Sequence, residues 1–305
     1  MKAFLKYIGF LSITFLILAS LMSFISLYSL RTSSLYKPSF IVNSVSENNF
    51  DYIILGSSVG LTTLNTKLID SITRMNGINF SEDDTGLSSQ YLMLQHTLYE
   101  GKKMKYCILA PGLAALRNKD ANIGGNDYRF VMHVNRDYIG NYYKEAAPNS
   151  FEARILYTTK YLPFVGVSYY NTELFFPSIR VLFDKKKRNR FDDKGNYTYP
   201  QKKANLKEKP LDTVKVTFDH TYLKKIEALC KKNDIELIYY FSPEYQKFVS
   251  YEKPENLHVI NHSNIFQDEL SLFYDPLHVN SKGREKATLH FIKDFEQFYL
   301  SDSGN

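Results

Sequence analysis

Three short apolar runs limit what this chain can become. Phe50 to Leu55 (FDYIIL), Lys105 to Ala110 (KYCILA) and Ile235 to Phe241 (IELIYYF) are continuous rather than alternating in polarity, and each is cut off by a turn signal, Gly56-Ser57-Ser58, Pro111-Gly112 or Ser242-Pro243. A β-prone run with no polar face is buried on both sides, so these segments predict strands of a sheet covered by helices above and below. The intervening sequence supplies the helices. Leu64, Leu68, Ile69 and Ile72 recur at helical spacing behind the N-cap candidate Asn65, and QYLMLQHTLYEG is an amphipathic stretch closed by Gly101. TYLKKIEALCKK puts Tyr222, Ile226 and Leu229 on one helical face, and a last helix is expected from about Lys282 to Leu300. With short strands near Gly77 to Phe80 and Leu257 to Ile260, the alternation predicts an α/β domain around a five-stranded parallel sheet with right-handed crossovers.

The amino-terminal segment obeys a different rule. Ile8 to Leu30 (IGFLSITFLILASLMSFISLYSL) carries no charge and is flanked by Lys2, Lys6 and Arg31. At ~1.5 Å rise per residue it is long enough for a ~30 Å hydrocarbon core. It outruns the apolar region of a secretory signal, and Ala19-Ser20-Leu21 leads into further apolar sequence, so residues 1–31 read as an uncleaved signal anchor and single membrane-spanning helix. Residues 32–49 are polar and read as a tether. Residues 50–305 then form the folded domain, with an aromatic-rich, mostly helical insertion expected at about 118–210.

The net charge of +6 is matched by one segment, Asp184 to Lys209, which holds ten Lys or Arg against four Asp or Glu. This stretch could meet anionic lipid headgroups or be a solvated loop. Cys107 and Cys230 lie in apolar runs and read as free core thiols. His258-x-x-x-His262 lacks the acidic residue of a zinc protease motif and reads as two loop histidines, so no metal is assigned. No pattern for nucleic acid or for a phosphate-bearing cofactor occurs, and no cofactor is expected.

Chemistry is concentrated at two distant points. Ser58 follows a buried strand at a Gly-marked turn, where α/β sheets carry their sites, and Asp275-Pro276-Leu277-His278 lies far downstream. A hydroxyl is a poor nucleophile at neutral pH. It needs a base within hydrogen-bond reach, and that base needs a carboxylate to fix its tautomer. His278 and Asp275, three residues apart, can offer both from one loop. Ser57 is the nearest competitor as nucleophile and can instead shape the turn. Ser242, Glu244 and Tyr245, at the end of the IELIYYF strand, are candidates for lining a sugar site.

Through ILGSSVG, INFSEDDTGLSSQYLMLQHTLYEGKKMKYCILA and FYDPLHVNSKGREKATLHFI, the chain resembles the SGNH (GDSL-type) hydrolase superfamily, particularly its membrane-anchored bacterial branches. The similarity covers roughly Phe50 to Ala115 and Val214 to Leu300. It implies a three-layer α/β/α sandwich of flavodoxin-like type, Ser58 as nucleophile, and Asp275 and His278 as its partners. It also implies an oxyanion hole from the N–H groups of Ser58 and Gly86. The Asn that similar enzymes add after the third strand is missing, since Ala110-Pro111-Gly112-Leu113 stands there, with Asn79 or Asn118 as substitutes. The implied function is a membrane-anchored, extracytoplasmic serine esterase or O-acyltransferase on a cell-surface polysaccharide or other acylated glycan. The bacterial cytoplasmic membrane is the implied location. The alternative is a non-catalytic glycan-binding or surface-assembly protein with a degenerate site.

Overall fold

The structure is a computed structural model that describes residues 1–117, 123–197, 206–207, 209–252, 254 and 257–299. The chain divides into two compact units, one made of Met1–Ser46 and Asp127–Asn189, the other of Glu47–Asn126 and Arg190–Asn305.

The first unit is helical. Its longest element, α1 (Lys2–Arg31), is long and apolar enough to cross a membrane. Residues 32–46 differ from the tether that their composition suggests. They contain α2 (Lys37–Asn43), and Ser33, Ser34, Lys37, Ser39 and Phe40 are buried. Two of their hydroxyls have partners, Ser33 Oγ donating to Leu30 O at 2.9 Å and Ser39 Oγ meeting the distant His133 Nε2 at 3.1 Å, so polarity is no bar to burial.

The second unit is α/β. Strands β1 (Asn49–Gly56), β2 (Gly77–Asn79), β3 (Lys103–Ala110), β5 (Glu236–Phe241) and β7 (His258–Asn261) form a five-stranded sheet in the order β2-β1-β3-β5-β7, every pair parallel. Helices α3 (Ser58–Thr63), α4 (Thr66–Thr73), α5 (Leu87–Tyr99), α6 (Leu113–Arg117), α11 (Thr221–Lys232) and α12 (Ser281–Tyr299) connect and cover it. Tyr52, Ile54, Tyr106, Ile108, Ile238 and Tyr240 pack on one face with Ile69 of α4 and Phe291, Ile292 and Phe295 of α12. Each such side chain removed from water contributes roughly 1.5–3 kcal/mol. The alternate residues, among them Ile53, Leu55, Cys107 and Leu109, are equally buried on the side where α5 packs on β1 and α11 on β5. Both thiols are free and buried.

A second small sheet was not foreseen. β4 (Asp212–Val216) and β6 (Lys247–Tyr251) pair in parallel, and β4 alternates Thr213, Val214, Lys215 and Val216 with only the valines buried. The basic stretch is also partly committed. The Lys194 ammonium sits 3.0 Å from Asp70, and its carbonyl accepts from Asn79 N at 2.9 Å, so residues 191–197 dock on the β2 edge instead of forming a free cationic loop. Residues 198–205 and 208 of that stretch, and Asn118, lie outside the described residues.

Candidate functional site

The sheet order places a cleft beside Ser58. From β1 the chain crosses to β2 on one side, then returns to β3 on the other, so the connections leaving the carboxyl ends of β1 and β3 diverge. Glycines make the close approach there feasible. A Cβ on Gly56 would stand 2.1 Å from Ala110 O, and one on Gly60 2.9 Å from the same oxygen. With both absent, α3 starts directly at the strand end, with Ser57 as its N-cap residue and Ser58 as its first residue. Ser58 is half-buried and borders the cleft.

The second element is the loop before α12. Phe273 and Val279 form an antiparallel bridge, Tyr274 N donates to His278 O at 2.8 Å, and Asn280 ties the loop to the helix. The Asn280 side chain donates to Ser271 O at 2.7 Å and accepts from the N–H groups of Lys282 and Gly283, each at 3.1 Å. Within this clamp Asp275 Oδ1 accepts from Leu277 N at 2.8 Å and His278 N at 2.9 Å. The carboxylate faces the imidazole, with His278 Nδ1 2.9 Å from Oδ1 and 2.8 Å from Oδ2.

Across 220 residues of sequence, His278 Nε2 lies 2.8 Å from Ser58 Oγ. A carboxylate only accepts, so Nδ1 carries the proton and Nε2 presents its lone pair to the hydroxyl. The order carboxylate, imidazole, hydroxyl is therefore set for withdrawing a proton from Ser58. The Ser57 hydroxyl points elsewhere, toward Gly112, where a Cβ would come within 3.1 Å of it and where φ is +80°. Of the two serines, Ser58 alone is given a bond to His278.

A cavity of about 580 Å³ opens at this point. Gly86 lines it, at the start of α5, and is joined by Asp84, Gly112, Leu113, His220 and Glu244. Of the three residues proposed at the end of β5, only Glu244 borders the cavity. Ser242 and Tyr245 are buried behind it, and Tyr245 packs on Phe273 while its N–H donates to Pro276 O at 3.0 Å. Tyr245 therefore props the Asp275 loop, because an aromatic ring at a strand end serves packing as readily as binding. Asn79 is likewise occupied. Its amide donates to Gly60 O at 3.2 Å and accepts from Ser81 N at 2.9 Å in a fully buried position.

Two cavity features were missed in the sequence. His220 is a buried cap of α11, its Nδ1 accepting from Tyr222 N at 3.1 Å, so its ring proton rests on Nε2. Gly124 and Gly125 cross the Asp84 loop so closely that a Cβ on Gly125 would fall 2.0 Å from the Asp84 carboxylate. The dipeptide Gly-Gly was a visible signal for that crossing. The two histidines of the His258-x-x-x-His262 spacing engage different carboxylates. His258 Nε2 is 3.5 Å from Glu236, whereas buried His262 is 2.8 Å from Asp294 and has its pKa lowered, chiefly by burial.

No family model matches the chain, and no curated protein matches it.

Proposed function

We propose that the chain is a serine hydrolase or O-acyltransferase of SGNH type, tethered by α1 and acting on acyl esters. The observation that carries this reading is the unbroken relay from Asp275 through His278 to Ser58, with 2.8 Å at the imidazole–hydroxyl step. Ser58 Oγ attacks the acyl carbonyl while its proton passes to His278 Nε2, and Asp275 stabilises the imidazolium. The carbonyl oxygen becomes an oxyanion, for which the donors in this reading are the N–H groups of Ser58 and Gly86, two residues that line the cavity. As the tetrahedral intermediate collapses, the alkoxide leaves with the proton from His278, and the acyl group stays on Ser58. Water or a sugar hydroxyl then gives its proton to His278 and takes the acyl group, yielding an acid or a new ester.

Of the two candidates to replace the Asn of the resembled enzymes, Asn79 is bound to Gly60 and Ser81, and Asn118 lies outside the described residues, so the described residues supply no such Asn. One missing oxyanion donor lowers the rate about 10²–10³-fold, which slows an acyl transfer without preventing it. A cavity of about 580 Å³ fits a sugar-sized acyl acceptor. An acylated cell-surface glycan on the extracytoplasmic side of a bacterial cytoplasmic membrane is the substrate setting that the anchor and the resemblance favour. A glycan-binding protein with a decayed site would have no reason to keep three side chains in this register.

The test is hydrolysis of activated acetyl esters by full-length protein and its Ser58→Ala variant. Loss of turnover in the variant supports the reading. Equal turnover in both, or none in the wild type, contradicts it.

A further inference from the structure

Within the helical unit, α7 (Asp137–Ala146), α8 (Phe151–Thr158), α9 (Pro163–Tyr169) and α10 (Phe176–Phe183) follow the 3₁₀ turn Asp127–His133. Both α9 and α10 pack against α1. The buried residues of α1, Ser23, Ser26, Ser29 and Leu30, all fall in its last third, whereas its large apolar residues are exposed from Phe4 to Met22 and again at Phe24, Ile25 and Tyr28. A hydrocarbon core of ~30 Å takes up ~20 helical residues, which counted from Ile8 ends near Leu27. On that scale α9 and α10 flank α1 at the level where acyl chains give way to headgroups.

Their outer surfaces suit that level. Phe183 is 88% exposed, Phe176 59%, Leu182 53% and Ile179 42%, joined by Tyr169 of α9 and by Leu162, the residue that caps its start. In α10 the inward residues Ser178 and Val181 are also uncharged, so the helix is apolar nearly all round apart from Arg180, whose long stem lets its charge reach an interface. After Asp184, whose carboxylate accepts from Lys186 N at 3.1 Å, the sequence turns cationic. Lys185, Lys186 and Lys187 are exposed, and the backbone holds them beside the end of α1, with Ser34 N donating to Lys185 O at 2.8 Å and Asn189 N to Leu35 O at 2.9 Å.

We propose that α9 and α10 lie in the bilayer interface beside α1, with Phe176, Ile179, Leu182 and Phe183 among the acyl chains and Lys185 to Lys187 on anionic lipid headgroups. The occupant of this surface is lipid, because the apolar stripe continues the face of a span-length helix and ends in cations at the height of the headgroups. The inference rests on α1 crossing the membrane, and on nothing about Ser58.

The chain contains no tryptophan, so a single introduced one reports on its own site. Full-length Phe183→Trp and Phe15→Trp variants are reconstituted into vesicles containing phosphatidylglycerol and phosphatidylcholine, with lipids brominated at shallow or deep chain positions as quenchers. Phe15, 70% exposed in mid-span, tests the span itself. The expected result is quenching of the Phe15 variant by deep bromines, and of the Phe183 variant by shallow ones, with Phe183→Trp emission shifted to the blue and protected from aqueous iodide. Quenching at position 15 but water-like emission and full iodide access at 183 overturns the proposal. Protection from iodide without lipid quenching at 183 also overturns it, as the mark of a protein partner or second copy. No lipid quenching at 15 refutes the span on which it rests. Energy transfer from Trp at 183 to dansyl-labelled phosphatidylglycerol should exceed transfer to dansyl-labelled phosphatidylcholine, and the two should become equal when Lys185, Lys186 and Lys187 are changed to Gln. Equal transfer in the unaltered background overturns the headgroup contact.

Discussion

Asp275→Asn separates charge from geometry at the site. Asp275 Oδ1 accepts two backbone N–H bonds at 2.8 and 2.9 Å, so an Asn would keep its carbonyl oxygen there and turn its amide nitrogen toward His278. That nitrogen takes the place of Oδ2, 2.8 Å from Nδ1. Two donors cannot face each other at that distance, and Oδ1, 2.9 Å from Nδ1, already has both lone pairs engaged by the backbone N–H groups, so the imidazole moves its proton to Nε2. Nε2 then donates to Ser58 Oγ and can no longer accept from it. The wrong tautomer costs a triad of this kind about 10⁴-fold in kcat, or ~5.4 kcal/mol of barrier. The backbone clamp survives, so stability should fall by no more than the ~1–3 kcal/mol of one charged hydrogen bond. The assay pairs ester kinetics with thermal unfolding. Turnover within about tenfold of wild type, in a variant that is folded, would refute the relay.

Other consequences concern the fold beneath the site. Gly56→Ala would drive a methyl to within 2.1 Å of Ala110 O, forcing β1 and β3 apart at their carboxyl ends, and should cost roughly 1–3 kcal/mol in denaturant unfolding with a larger loss of activity. His262 has a folded pKa lowered mainly by burial, so the unfolded chain binds the extra proton first as pH falls. Stability should therefore decline as pH drops below the ordinary histidine range, about 6.5, and His262→Asn should flatten that slope in pH-dependent unfolding.

The sheet was legible because FDYIIL, KYCILA and IELIYYF have no polar face, which is what burial between two helical layers requires. Ser58, Asp275 and His278 were legible as residues because a Gly-marked strand end and an i, i+3 carboxylate–imidazole pair are local patterns. Their meeting is not local, and only the sheet order brings it about. Residues 32–46 were misread for the reason seen in Ser33 and Ser39. Composition equates polarity with exposure, whereas a hydroxyl bonded to a carbonyl or an imidazole is content inside. β4 escaped notice because five residues of alternating valine and charge look the same in a loop. The packing of Tyr245 on Phe273, instead of on a ligand, depends on a loop that begins some thirty residues later.

The proposed chemistry depends on Ser58 being the activated hydroxyl. Full-length protein treated with a fluorophosphonate, digested and read by peptide mass spectrometry tests it most directly. A single adduct on Ser58, lost in His278→Ala, is the expected result. An adduct on Ser57 or elsewhere, or none on a folded protein, would contradict it.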